Sequence, residues 1–139
     1  MAAAHVKDRT PAIDVIRDQF EATNERDSRR AMAHYAKDVV LVVHPDAFLE
    51  SGTYEGIEAV GQWFADWFRS FEPGYHFEFD EIRDLGDRVF FVASHRGRGR
   101  TSGVEVHGQT AYLYTVRDAK IVRAELFPSR DAALAAAAR

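Results

Sequence analysis

The hydrophobic period of this chain changes once, at Pro73-Gly74, and that change limits the folds open to it. Before it, apolar residues recur at helical spacing: Ile13, Ile16, Phe20 and Thr23 make one stripe, and Ile57, Val60, Gly61, Phe64, Trp67, Phe68 and Phe71 a broader one. After it the period is two. Tyr75, Phe77 and Phe79 alternate, Val89 to Ala93 is continuously apolar, Val104, Val106, Tyr112, Tyr114 and Val116 share one parity, and Ile121 to Phe127 closes the set. Gly86-Asp87, Thr101-Ser102-Gly103 and Asp118-Ala119 supply the turns between these strands, since each tolerates tight backbone geometry. Helices first and hairpin-linked strands afterwards is the order of an α+β domain whose helices cover one face of a curved antiparallel sheet.

Local signals set the boundaries. Thr10-Pro11 starts the first helix, with the Thr10 hydroxyl as cap and Pro11 as the first helical residue, and the helix ends near Glu25. Asp27 caps a shorter helix that carries Ala31, Met32 and Tyr35 inward. Val39 to Val43 is too β-branched to prefer a helix and is stopped by His44-Pro45, which predicts a strand buried on both faces. Residues 46–56 read as loop with one short strand, the third helix as the most buried, and Ser129 as the cap of a final Ala-rich helix. At 139 residues a single core is expected, giving one domain over 10–138 after a flexible segment 1–9.

Composition excludes several functions. With no Cys there are no disulfides, thiolate metal sites or cysteine nucleophiles. An excess of 22 acidic over 18 basic residues argues against a polyanion partner, and the run His95 to Arg100 reads as the solvated end of a hairpin, so no nucleic-acid partner is expected. Neither a signal sequence nor a run of the ~20 apolar residues that span a bilayer is present, so no membrane partner and a cytoplasmic location are expected. The six His lack metal-ligand spacing, Ser94, Ser102 and Ser129 lack a nucleophile-elbow context, and no Gly-rich phosphate loop opens a helix. No cofactor or metal is expected.

Three stretches carry a resemblance: Thr23-Asn24-Glu25-Arg26-Asp27 closing the first helix, Tyr35-Ala36-Lys37-Asp38 running into a strand, and Lys120 to Phe127 followed by the capped Ala-rich helix. With Tyr54-Glu55-Gly56 opening the long third helix between them, the chain from Thr10 to Leu134 resembles the nuclear transport factor two-like superfamily, and within it the SnoaL-like and ketosteroid-isomerase-like proteins. The resemblance implies a cone-shaped α+β (cystatin-like) fold: N-terminal helices packed on a curved antiparallel sheet with a mixed edge, enclosing a pocket. Its expected lining is Gln19, Phe20, Tyr35, Trp63, Phe64, Phe68, Tyr112 and Phe127.

The resemblance also implies site residues. Ketosteroid isomerases place an acidic base before a Pro at the end of the first strand; His44 stands there, and a neutral imidazole is a competent base near neutral pH. Of their two oxyanion donors, one falls on Gln19 and the other on Tyr112, whose hydroxyl can donate to a developing enolate. Glu125 matches an acid that limonene epoxide hydrolases carry on the last strand, but their second carboxylate has no counterpart in Ser94-His95-Arg96. Arg123, Glu125 and Phe127 share one face of that strand, so Arg123 can pair with and orient Glu125. Two functions are then open: a cofactor-independent acid/base enzyme of isomerase, cyclase or hydrolase type acting on a small apolar or polycyclic carbonyl compound, with His44 as base, or a non-catalytic ligand-binding or dimerisation module. A homodimer is expected because the last strands are apolar at both parities, which leaves one sheet face without a cover.

Overall fold

The computed structural model describes residues 10–47 and 50–139; the segment 1–9, expected to be flexible, lies outside them. Helix α1 spans Ala12–Asn24. It starts one residue later than expected, because Pro11 rather than Thr10 takes the capping position and its carbonyl accepts from the Asp14 and Val15 N–H groups at 3.0 and 3.2 Å. The short α2 (Ser28–Met32) is capped by the Asp27 carboxylate, which accepts from the Arg30 N–H at 3.1 Å. Tyr35, expected on the inner face of that helix, instead opens strand β1 (Tyr35–Val43). After β2 (Gly52–Glu55), Gly56 turns the chain into α3 (Ile57–Arg69) at φ 89°, a conformation that suits glycine. Helix α3 buries Val60, Trp63 and Trp67, whereas α1 buries six residues, so α1 and not α3 is the most buried helix.

Strands β3 (His76–Asp84), β4 (Arg88–Arg98), β5 (Glu105–Arg117) and β6 (Lys120–Phe127) follow, and then helix α4 (Arg130–Ala137). Among the described residues the strands form one sheet in the order β2-β1-β6-β5-β4-β3. All neighbours are antiparallel except β1 and β6, where Leu41 stands opposite Ala124 and Val43 opposite Leu126. The parallel pair thus lies one strand in from the edge.

Strand parity divides the side chains between two cores. Val39, Leu41 and Val43, Val89, Phe91 and Ala93, Tyr112 and Tyr114, and Ala124 and Leu126 join α1 and α3 on the inner face. Val40 and Val42, at the other parity, are half-buried, so β1 is fully buried on one face only. Phe90, Val92, Ala111, Leu113 and Phe127 point to the outer face, where α4 lies on them through Ala133, and none of the five is more than 5% exposed. Ser129 accepts from the Ala132 N–H at 3.1 Å and so fixes where that helix starts. Small alanine side chains let α4 sit close to the sheet. The helices therefore cover both faces rather than one, and no second subunit is needed to bury the outer residues from which a homodimer was expected.

Two side-chain devices complete the inner layer. Asn24, at the end of α1, donates through Nδ2 to the Phe77 carbonyl at 3.0 Å and accepts from the Phe77 N–H at 2.8 Å, occupying the open edge of β3 as a neighbouring strand would. Asn24→Ala should lower stability by about 1–2 kcal/mol and speed hydrogen exchange at the Phe77 amide; unchanged exchange would show that the edge is not held this way. Asp18 on α1 accepts from Arg30 and from His34 Nε2, the latter at 2.6 Å, tying α2 to α1. Hydrogen bonds from Arg30 and then His34 lower the Asp18 carboxyl to about 2, so this tie is whole above the ordinary carboxyl value of 3.8 and is lost as pH falls through about 2. Among the described residues no helix is long and apolar enough to cross a membrane.

Candidate functional site

Between α1, α2, α3 and the inner sheet face lies a cavity of about 220 Å³. Its walls are Phe20 from α1, Ala31 and Met32 from α2, Phe64 and Phe68 from α3, and Phe77, Tyr112 and Tyr114 from the sheet. Rings dominate because Phe20 sits as a hub, with its centroid 5.2 to 5.8 Å from those of Phe77, Phe91 and Tyr112 in edge-on contacts. Exposure falls along the cavity. Arg26, Ser28 and Ala65 are exposed and form the mouth, whereas Gln19, Tyr35, Tyr112 and Tyr114 are buried and form the inner end.

The inner end holds three buried polar atoms that make no hydrogen bond of full geometry, Gln19 Oε1, Tyr35 Oη and Tyr112 Oη; the Tyr35 hydroxyl has the Tyr114 hydroxyl near it and the Tyr112 hydroxyl has Thr110, each in a weaker contact. The Gln19 amide is oriented by its own bond, Nε2 to Thr23 Oγ1 at 2.9 Å, which leaves Oε1 as a free acceptor. Burial holds the phenols of Tyr35, Tyr112 and Tyr114 well above their ordinary range, so they stay protonated as donors across neutral pH. Leaving such groups poorly paired costs about 1–3 kcal/mol each, and a bound polar group would remove that cost.

Six of the expected lining residues, Gln19, Phe20, Tyr35, Phe64, Phe68 and Tyr112, line this cavity. Trp63 does not. It is turned into the core beside Tyr54, Phe64 and Trp67. Phe127 is also misassigned, because it stands opposite Ala111 at the outer parity and packs under α4.

The expected catalytic group is split by the sheet. Tyr112 faces the cavity, but Glu125 is paired with outward-facing Leu113, and Arg123 shares its parity. His44 lies beside them, its ring stacked 4.4 Å from that of Phe127 and its Nε2 3.2 Å from Glu125 Oε1, while Arg123 reaches the same oxygen at 3.5 Å. His44, Glu125 and Arg123 thus form an ion cluster on the outer face and cannot act with Tyr112 on one molecule. His95 stands opposite Gly108 at the inner parity and His107 opposite Arg96 at the outer one.

Behind the cavity wall runs a buried chain of polar groups. Trp67 Nε1 donates to Tyr75 Oη at 2.9 Å, so the Tyr75 proton points to His95 Nδ1, also at 2.9 Å. In the neutral ring Nε2 then carries the proton. Burial, helped by the charge of His107, depresses the His95 pKa below 6.5.

The wall residues missed from the sequence include Ala31, Met32, Phe77, Tyr114 and Arg26. Tyr114 shares the parity of Tyr112 two residues on, so simple alternation could have found it. Arg26 had no such signal, because its place depends on a left-handed backbone, φ 62°.

Similarity to known proteins agrees with this architecture. An NTF2-like protein from Burkholderia thailandensis superposes with a TM-score of 0.75 at 24% identity, over 94% of this chain and 98% of the other. TerC, co-crystallised with polyporic acid, gives 0.73 at 21% identity over 88% and 95%. A protein with the ketosteroid-isomerase-like fold from Catenulispora acidiphila, in complex with trimethylamine, gives 0.70 at 20% over 88% and 90%. At these identities the likeness is one of fold. No curated protein matches the sequence. The family model for the SnoaL-like domain, by contrast, matches residues 16–124, the stretch from within α1 into β6 that contains every wall of the cavity, and on that match the chain belongs to the SnoaL-like domain family.

Proposed function

We propose that this protein binds a small, flat, mostly apolar molecule in the cone and holds it by one polar group at the inner end. The observation that carries this is the trio of buried atoms without a well-formed hydrogen bond, Gln19 Oε1, Tyr35 Oη and Tyr112 Oη, at the buried end of an otherwise apolar cavity, where Tyr114 and Thr110 offer the phenols only weak contacts. Two protonated phenols and one amide oxygen suit a group that accepts and donates, such as a ring hydroxyl or an enolisable ketone. Size narrows the class. An apolar cavity of about 150 Å³ takes one benzene ring, so about 220 Å³ suits one ring with substituents or two fused rings, and four fused rings are too large.

Binding is favoured over acid/base catalysis by the make-up of the wall. The titratable residues that line the cavity are Arg26 and three Tyr, none of which accepts a proton near neutral pH. The His44–Glu125 pair, which would have supplied a base, lies beyond the sheet. Tyr112→Phe is the direct test. It removes a poorly paired hydroxyl from the empty protein, so stability should rise by about 1–2 kcal/mol, while the affinity for 2-naphthol or β-tetralone should fall about tenfold. Thermal shift and calorimetry measure both. No binding of either probe to the wild type, or a destabilised variant with unchanged affinity, would overturn the proposal.

A further inference from the structure

The mouth of the cavity carries one charge, and its setting bears on which ring compounds enter. Arg26 is the only charged side chain among the lining residues, and it is exposed. It follows the last turn of α1 in a left-handed conformation, φ 62°, with its N–H bonded to the Thr23 carbonyl at 3.1 Å. Helices that end this way place glycine there by preference, because a Cβ is strained in that conformation. The side chain is not idle. One guanidinium nitrogen donates to the Tyr75 carbonyl at 2.6 Å, and the group lies over the Phe68 ring, its carbon 5.6 Å from the centroid.

Two structural roles follow from those contacts: a positive charge suits the C-terminal end of a helix, and the bond to Tyr75 ties α1 to β3. Both leave most of the five N–H donors of a guanidinium unused. Among the described residues no carboxylate lies within ion-pair distance of Arg26, whereas Arg30, one turn of α2 away, pairs with Asp18, Glu21 and Glu25. An oriented cation is therefore held against a cavity wall, with donors to spare and no anion of its own. A ligand whose inner end meets neutral donors and an amide oxygen meets this cation with its outer end.

We propose, building on the binding function above, that the cavity selects ring carboxylates: one or two rings, a hydroxyl or carbonyl inward against Tyr35, Tyr112 and Gln19, and the carboxylate at the mouth on Arg26. A guanidinium presents a planar fork that matches a carboxylate, and hydrogen bonds between charged partners are the stronger kind.

The test compares 6-hydroxy-2-naphthoate with its methyl ester, which keeps the rings and the inner hydroxyl but removes the charge. Fluorescence titration of both into wild type, Arg26→Gln and Arg26→Lys gives the ratio of the two dissociation constants within each variant, and that ratio cancels any loss of folded fraction. The wild type should prefer the acid by roughly tenfold, and the preference should shrink with added salt. Arg26→Gln should bring the ratio to about one, and Arg26→Lys should keep part of it. Equal binding of acid and ester by the wild type would overturn the carboxylate proposal and leave the cavity function standing, as would an acid preference that survives in Arg26→Gln. Binding of neither probe would overturn both.

Discussion

Phe91→Ala is expected to cost about 3–5 kcal/mol, roughly a fifth or more of the stability of an ordinary domain. Phe91 is fully buried, stacks on Tyr112 with centroids 4.5 Å apart, and meets Phe20, Phe79 and Tyr114 at 5.0 to 5.6 Å. Its removal leaves a void between two strands and α1, and a pleated sheet cannot close over such a gap without moving its own hydrogen bonds. Urea denaturation should show the midpoint lowered with its slope unchanged, and the melting temperature should fall by roughly 10–20 °C. The void would also open beside Phe20 and Tyr112, two walls of the cavity, so any variant that still folds should accept larger ring systems than the wild type. A loss below about 1.5 kcal/mol would mean that the aromatic layer repacks freely, contrary to the close ring geometry.

Tyr75→Phe is expected to have a smaller effect by a different route. It takes from Trp67 Nε1 the acceptor at 2.9 Å and from His95 Nδ1 the donor at the same distance, both in the interior. Loss of the two bonds should lower stability by roughly 1–3 kcal/mol. The pH dependence separates this loss from one of packing. Because the folded His95 pKa lies below the ordinary 6.5, its contribution is whole above that value and is lost as pH falls towards the folded pKa, where the unfolded chain takes up a proton that the native ring resists. Wild-type stability should thus decline as pH falls through the ordinary imidazole value of 6.5 and below it, and His95→Gln should flatten part of that decline. An identical slope in the two proteins would mean that His95 is protonated where it lies.

The strands and helices were legible in the residues because each carries its own period. Val89 to Ala93 and the Tyr112, Tyr114 and Val116 set were found where β4 and β5 stand, and Ser129 caps α4 as expected. The parallel pairing of β1 with β6 agrees with the mixed edge that the resemblance implied but was not legible in the residues themselves, since hydrogen-bond direction leaves no mark on side-chain alternation. For the site the difficulty lay at β6. Ala124 and Leu126 against Arg123 and Glu125 do mark an inner and an outer parity, but the large apolar Phe127 shares the outer one, and its burial depends on the cover that α4 supplies from outside the strand. His44 and Glu125 were placed inward by the resemblance alone, and Arg123 followed because it shares a face with Glu125 and Phe127. Gln19 and Tyr112 escaped the error: the resemblance placed both, and for Tyr112 the tyrosines at one parity of β5 also mark the inner face directly.

The pairing of β1 with β6 has a consequence for the order in which the chain assembles. Strands β3 to β6 are joined by tight turns and meet through contacts close in sequence, which form early, whereas Leu41 must find Ala124 across most of the chain. Gln19 and Tyr35 belong to the part that arrives late and Tyr112 to the part that forms first, so the cavity exists only once the long loop has closed. A ligand in it holds together two portions of the chain that the rate-limiting event must still unite. Its effect would fall on the unfolding rate and hardly on refolding, lengthening the lifetime of the native state without speeding its formation.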